Sequence, residues 1–275
     1  MGRSRSMRVA AVQLQSQDSV SANLIACEHW ISAAASAGAH FVVLPENFAY
    51  FGSDTGRRAA AESLSGLAGT IRETLAQCAD RYNVAILAGG WPEVSNDVDR
   101  PFNAATVYSS DGSVLTNYRK IHLFDVQLPS GEQLRESAAM SSGTEVITCD
   151  LLGFRVGLSI CYDVRFPELF RKLVDRGSEI LCVPSAFTQE TGRDHWHILM
   201  RARAVESQCW VIGANQCGSH PNGKTTYGHS LIVDPWGKVR AEADNEPGLV
   251  VADIDADSID RVRSSMPALR HRRIK

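Results

Sequence analysis

The sequence lacks the run of about 18 apolar residues that a membrane-spanning helix needs, and its first eight residues lack the apolar segment of a signal peptide. We therefore expect a cytoplasmic protein with no membrane partner. The sequence also has no excess of basic charge, because it contains 28 Lys and Arg residues and 31 Asp and Glu residues. The net charge of −3 predicts no nucleic-acid partner, since nucleic-acid-binding domains are usually basic.

Paired cysteine motifs and linkers are missing as well. The seven cysteines include no CxxC pair and are odd in number, which argues against a zinc site and against a disulfide framework. We predict buried reduced thiols, no metal and no cofactor. No linker rich in Pro, Gly or Ser divides the chain, so we predict a single domain over residues 1–275 with its core at about 7–262. Met7 is an alternative initiator to Met1.

What is present is an alternation of short apolar strands with helices whose apolar residues lie on one side. Hydrophobic residues make up 44% of the chain and charged residues 21%, as in globular proteins. The mixture of alternating units and hairpins favours a layered α/β sandwich. Predicted strands are 7–14, 41–44, 84–88, 154–160, 180–183 and 210–214; predicted helices are 23–37, 71–82, 168–176 and 194–207; predicted hairpins join 104–108 to 114–118 and 230–233 to 239–242.

Cys161 stands where the apolar strand 154–160 gives way to a polar turn before a helix. Such a position can expose a nucleophile at the edge of a sheet, with backbone N–H groups available to an oxyanion. By itself this pattern is more often that of a buried structural thiol. Glu46 and Lys120 follow two other strands, where a solvated carboxylate and a snorkelling lysine are the alternative interpretations.

A thiol, an ammonium and a carboxylate together supply what amide hydrolysis needs. We expect a nearby cation to lower the pKa of the cysteine, so that the attacking thiolate is accessible near neutral pH. A carboxylate can take the thiol proton, pass it to the leaving amine and then activate water. The ammonium can neutralise the oxyanion of the tetrahedral intermediate.

Several separated segments resemble the nitrilase superfamily of carbon-nitrogen hydrolases, whose catalytic glutamate, lysine and cysteine occur in the order found here. The resemblance implies an α/β fold, a four-layer α-β-β-α sandwich that forms at least a homodimer. It also implies that Glu136 holds Lys120 in place beside the nucleophile. The matching segments are Leu44-Pro45-Glu46-Asn47, Tyr118-Arg119-Lys120-Ile121-His122-Leu123, Leu134-Arg135-Glu136-Ser137 and Cys161-Tyr162-Asp163-Val164-Arg165-Phe166-Pro167-Glu168-Leu169.

Within this superfamily, segments 184–187, 201–209 and 215–218 most resemble the branch of deaminated glutathione amidases. The resemblance implies a small-molecule amide substrate with an α-keto acid end, cleaved through a thioester to α-ketoglutarate and cysteinylglycine. It further implies that Tyr162, Arg165, Phe187 and Thr191 bind this substrate. Arg165 is expected to pair with the carboxylate beside the ketone, because a guanidinium matches a carboxylate with two hydrogen bonds.

Other interpretations stay open at this point. The same core chemistry serves an omega-amidase acting on α-ketoglutaramate, or another amidase or carbamoylase of the superfamily. A cysteine–histidine protease could use His195, His197 or His229 to activate the thiol. A metal-dependent phosphodiesterase and a non-catalytic interaction protein are alternatives of different classes.

Overall fold

A computed structural model describes residues 5–64 and 69–274. In the first half of the chain the strands are β1 (Ser6–Gln13), β2 (Phe41–Val43), β3 (Ala85–Glu93), β4 (Phe102–Tyr108), β5 (Val114–Arg119), β6 (Asp125–Gln127) and β7 (Gln133–Arg135). The later strands are β8 (Thr148–Leu151), β9 (Phe154–Leu158), β10 (Ile180–Cys182), β11 (Trp210–Gly213), β12 (Cys217–Ser219), β13 (Thr225–Tyr227), β14 (Leu231–Val233), β15 (Val239–Glu242) and β16 (Gly248–Asp255). The helices are α1 (Val20–Ser36), α2 (Asp54–Ala59), α3 (Thr70–Tyr82), α4 (Pro167–Asp175), α5 (Gln189–Ser207), α6 (Ala256–Ser265) and α7 (Ala268–His271).

Most strands belong to two six-stranded sheets. The first has the order β16-β1-β2-β3-β4-β5 and the second the order β15-β14-β11-β10-β9-β8. In each sheet the central strands run parallel, namely β1 with β2 and β3, and β9 with β10 and β11. The outer strands pair antiparallel through hairpins and returns. The carboxyl ends of the parallel strands in each sheet therefore meet at one edge.

Strand β1 shows how the layers form. Because successive side chains of a strand point to opposite faces, Val9 and Ala11 pack towards the second sheet while Ala10 and Val12 pack against α1 and α3. Helices α4 and α5 cover the outer face of the second sheet. The result is the predicted four-layer α-β-β-α sandwich.

Several elements differ from the sequence-based predictions. The strand expected to reach residue 160 ends at Leu158, because the Ile160 amide donates to the Asp163 carboxylate at 2.9 Å. Helix α5 begins at Gln189 instead of 194, where Thr188 caps it by accepting from the Thr191 amide. Strand β16 was not predicted at all, although it pairs with the whole of β1. Within the described residues, no helix has the length and apolar character needed to cross a membrane.

Candidate active site

Glu46 lies three residues beyond the end of a parallel strand, since β2 ends at Val43 and Leu44-Pro45 continues into the loop. Its side chain is almost fully buried, with 4% of its surface exposed. Gly90, in a bulge of β3, makes room for it: a Cβ on Gly90 would lie 2.6 Å from the Glu46 Cγ, and the φ of +55° also favours glycine. The bulge therefore lets the backbone of β3 approach the carboxylate closely.

Lys120 is buried between two carboxylates. Its Nζ donates to Glu46 Oε1 at 2.8 Å and to Glu136 Oε2 and Oε1 at 2.8 and 3.0 Å. Burial alone would lower the pKa of Lys120, but Glu136 and then Glu46 outweigh it and raise that pKa well above its usual value. Burial likewise favours the neutral form of Glu136, yet the charge of Lys120 lowers the pKa of this carboxyl overall. The ammonium and the Glu136 carboxylate are both charged.

Two further donors hold the carboxylates, and sequence reasoning missed both. Asn103 Nδ2 donates to Glu46 Oε1 at 2.8 Å and to Glu136 Oε1 at 3.3 Å. The Ala186 amide donates to Glu46 Oε2 at 2.9 Å. Asn103 is a polar residue near the start of a buried strand, and this unusual position can be seen in the sequence alone. A hydrogen bond from a backbone amide, such as that of Ala186, corresponds to no pattern in the sequence.

Cys161 follows β9 in a strained conformation. Its φ of +46° is unusual for a residue with a side chain, and its amide is held by the Pro184 carbonyl at 2.8 Å. The buried Asp163 carboxylate stabilises this turn, because it accepts from the Ile160 amide at 2.9 Å and from the Tyr118 hydroxyl at 2.6 Å. The turn thus presents the thiol sulfur from the second sheet towards the charged cluster on the first.

The expected depression of the Cys161 pKa is wrong. Burial and the negative charge of Glu46 raise the pKa of this thiol well above its usual value. The charge of Lys120 and a hydrogen bond from the Ala186 amide act in the opposite direction but do not outweigh them. Lys120 is already neutralised by two carboxylates, so the resting thiol keeps its proton, and Glu46 hydrogen-bonds it.

All eight residues predicted for the site line one cavity of about 330 Å³. They are Glu46, Lys120, Glu136, Cys161, Tyr162, Arg165, Phe187 and Thr191. Pockets for small organic molecules begin at about this size. The cavity therefore has room for a short amide beside the thiol.

Arg165 lines the same cavity as Cys161 and, among the described residues, has no carboxylate partner. Its guanidinium carbon lies 5.3 Å from the centre of the Phe187 ring and 5.9 Å from that of Tyr162, and its Nη1 lies 3.2 Å from the Nδ1 of His195. Burial lowers the pKa of Arg165, so a bound anion would stabilise its charge. Thr191 lies in the first turn of α5, with its Oγ1 2.9 Å from that of Thr188.

The histidines occupy other environments. His195 contacts Arg165, while His197 and His229 share the Glu242 carboxylate at 2.8 and 2.9 Å. Among the described residues, the group His197, His229 and Glu242 has ligand atoms close enough to hold a metal ion, and none of the three lines the cavity. Among the described residues, the three histidines considered as partners of Cys161 therefore make their side-chain hydrogen bonds with Arg165 and Glu242.

Comparison with known proteins identifies the family. A sequence profile described as carbon-nitrogen hydrolase matches residues 8–264. The chain belongs to this family. It is a hydrolase acting on carbon–nitrogen bonds other than peptide bonds, as the sequence predicted.

Three relatives cover nearly all of the chain. A protein from Synechocystis sp. called deaminated glutathione amidase is 43% identical over 96% of this chain and 97% of its own length. The crystal structure of the Caenorhabditis elegans NitFhit protein is 36% identical, with a TM-score of 0.90, and the match covers 98% of this chain but 66% of that one. Saccharomyces cerevisiae Nit3, described as a member of branch 10 of the nitrilase superfamily, is 31% identical, with a TM-score of 0.87 and coverage of 98% and 97%. The resemblance to the nitrilase superfamily is confirmed.

Proposed function

We propose that this hydrolase cleaves deaminated glutathione to α-ketoglutarate and cysteinylglycine, with Cys161 as nucleophile. The observation that supports this most directly is the convergence of Cys161, Glu46 and the doubly paired Lys120 in one cavity, with Arg165 beside them. The name of the Synechocystis relative supplies the substrate class.

In the first half of the reaction, Glu46 takes the proton of the Cys161 thiol as the sulfur bonds to the amide carbon. The electron pair of the C=O bond moves to the oxygen, and Lys120 stabilises the negative charge there. The C–N bond then breaks, and Glu46 returns the proton to the leaving nitrogen. Cysteinylglycine leaves, and the α-ketoglutaryl group remains on the sulfur as a thioester.

In the second half, water takes the place of the leaving amine. Glu46 removes one proton from it while the oxygen bonds to the thioester carbon. The C–S bond breaks, α-ketoglutarate is released and the sulfur regains its proton from Glu46. One carboxylate thus carries the proton in both halves, which fits a thiol that is protonated at rest.

Substrate selection at the acyl end is assigned to Arg165, with Tyr162, Phe187 and Thr191 around it. A carboxylate that enters the cavity finds this guanidinium already packed between two aromatic rings and free of any acidic partner in the described chain. The carboxylate beside the ketone fits that position.

The test offers deaminated glutathione and α-ketoglutaramate separately to the pure protein and compares kcat/KM. We expect a higher value for deaminated glutathione and no turnover by Cys161→Ala. A preference for α-ketoglutaramate, with release of ammonia, would make the chain an omega-amidase instead. The proposed homodimer is tested separately, by light scattering of the protein as it elutes from a sizing column.

A further inference from the structure

A second cation lines the cavity without an anionic partner. Lys224, which precedes β13, is half-buried and borders the same cavity as Cys161. In the part of the chain that the structure describes, its ammonium makes no hydrogen bond or ion pair. Lys120 in the same cavity is held by two carboxylates. A half-buried ammonium with unused donors is therefore available to an incoming anion.

Arg57 reinforces this positive region. Its guanidinium borders the cavity from α2 and is bound on one side, by Asp54 at 2.8 Å, while its Nε is buried without a partner. Burial, followed by the charge of Arg57, lowers the pKa of Lys224, and the carboxylates of Asp54, Glu132 and Glu136 do not compensate. Two cations thus share a region in which their own charges repel, and an anion between them would stabilise both.

The backbone of Lys224 is fixed by its neighbours. The His220 amide donates to the Lys224 carbonyl at 2.7 Å. The buried His220 ring lies 2.8 Å from the Ser16 carbonyl and 2.7 Å from the Thr226 hydroxyl, and it stacks on Phe51 at 4.1 Å. The loop that carries the ammonium is therefore anchored to the segments that follow β1 and β2, which reduces the cost of ordering it when a ligand binds.

Arg165 and Lys224 thus have different electrostatic neighbours within the cavity. The charge of Arg165 interacts with Cys161 and Tyr162, whereas that of Lys224 interacts with Arg57 and with the carboxylates of Asp54, Glu132 and Glu136. Deaminated glutathione also carries two carboxylates, one beside its ketone and one at the end of its glycine. We propose that Lys224, together with Arg57, binds the terminal carboxylate of the leaving group. This assignment rests on the proposed function and specifies which leaving group the enzyme prefers.

The test compares two substrates that differ in that carboxylate alone: deaminated glutathione and the same compound with its glycine carboxylate converted to a carboxamide. The readout is the ratio of kcat/KM for the acid to kcat/KM for the amide. We expect the wild-type ratio to be about 10 to 100, because a charge-assisted hydrogen bond contributes about this much. In Lys224→Met the ratio falls towards one, through KM for the acid, and in Lys224→Arg it is restored.

Lys238→Met is the matched control, since Lys238 is an exposed lysine in the β14–β15 turn and does not line the cavity. Its ratio should equal that of the wild type, and thermal melting of all variants reports folding. A wild-type ratio near one, or an unchanged ratio in Lys224→Met, would overturn the proposed carboxylate site while leaving the amidase assignment intact. A wild-type enzyme that cleaves neither compound would refute the proposed function and the carboxylate site with it.

Discussion

Replacing Glu46 by glutamine should change thiolate formation and amide hydrolysis in opposite directions. The Cys161 thiol is buried, hydrogen-bonded to Glu46 and has a raised pKa to which the charge of Glu46 contributes. Two unit charges about 4 Å apart interact by about 4 kcal/mol at an effective dielectric constant of about 20. Removing the charge of Glu46 should therefore lower the pKa of the thiol.

Glu46→Gln removes this repulsion and leaves Lys120 paired with Glu136 alone. We expect the pKa of the thiol to fall, because the negative charge beside the sulfur is gone. In the proposed mechanism hydrolysis needs the same carboxylate as its base, so kcat should fall by about 10² to 10⁴.

The assay follows alkylation of Cys161 by iodoacetamide across pH, with mass spectrometry to distinguish it from the six other buried thiols. In Glu46→Gln the midpoint of alkylation should move to lower pH while turnover of the amide is lost. Glu190→Gln removes a carboxylate at the cavity that contacts the Ser130 amide instead, and should change neither property. If alkylation in Glu46→Gln keeps the wild-type midpoint or moves to higher pH, the account of the resting thiol is wrong.

Three further predictions concern groups around the nucleophile. Glu136→Gln leaves Lys120 with one carboxylate, so kcat should fall by about tenfold or more while KM changes little; an effect on KM alone would contradict this. Asp163→Asn should lower the free energy of unfolding by about 2–4 kcal/mol, because the carboxylate is fully buried and accepts several hydrogen bonds. Urea titration measures this free energy, and a change below about 0.5 kcal/mol would contradict the prediction. Burial lowers the pKa of His220 below its usual 6.5, so the folded state disfavours its protonation and stability should fall as pH drops below about 6.5. His220→Gln should flatten this slope in thermal melts between pH 7 and 5, and an unchanged slope would assign it to other groups.

Much of the architecture could be predicted from the sequence, because apolar periodicity records which face of an element is buried. Strand β1 and the hairpin of β4 and β5 were predicted to within about two residues. Strand β16 was missed because its residues are only partly buried along most of its length, so its pattern lacks the continuous apolar run of a central strand. Pairing with β1 decides its conformation, and pairing between distant segments is not visible in a local window.

The sequence could predict which residues line the candidate site, but it could not predict the direction in which the pKa of the thiol shifts. Glu46, Lys120 and Cys161 each follow a strand, and the resemblance to a known family named them together. The sign of the thiol pKa shift depends on which charge lies nearer and on what already neutralises Lys120, and both are properties of the folded geometry. Asn103 was overlooked for a similar reason, because its role requires the two carboxylates that meet at its amide.

The proposed reacting groups are divided between the two sheets, so activity should depend on how those sheets pack together. Glu46 and Lys120 follow strands of the first sheet and Cys161 follows a strand of the second. Neither sheet alone therefore carries all three groups. A chain in which the interface has loosened, even with every strand intact, separates the sulfur from its base. In partial denaturant, catalysis should therefore disappear before the circular dichroism of the strands does. The enzyme would then report its own early unfolding, with substrate turnover as the signal.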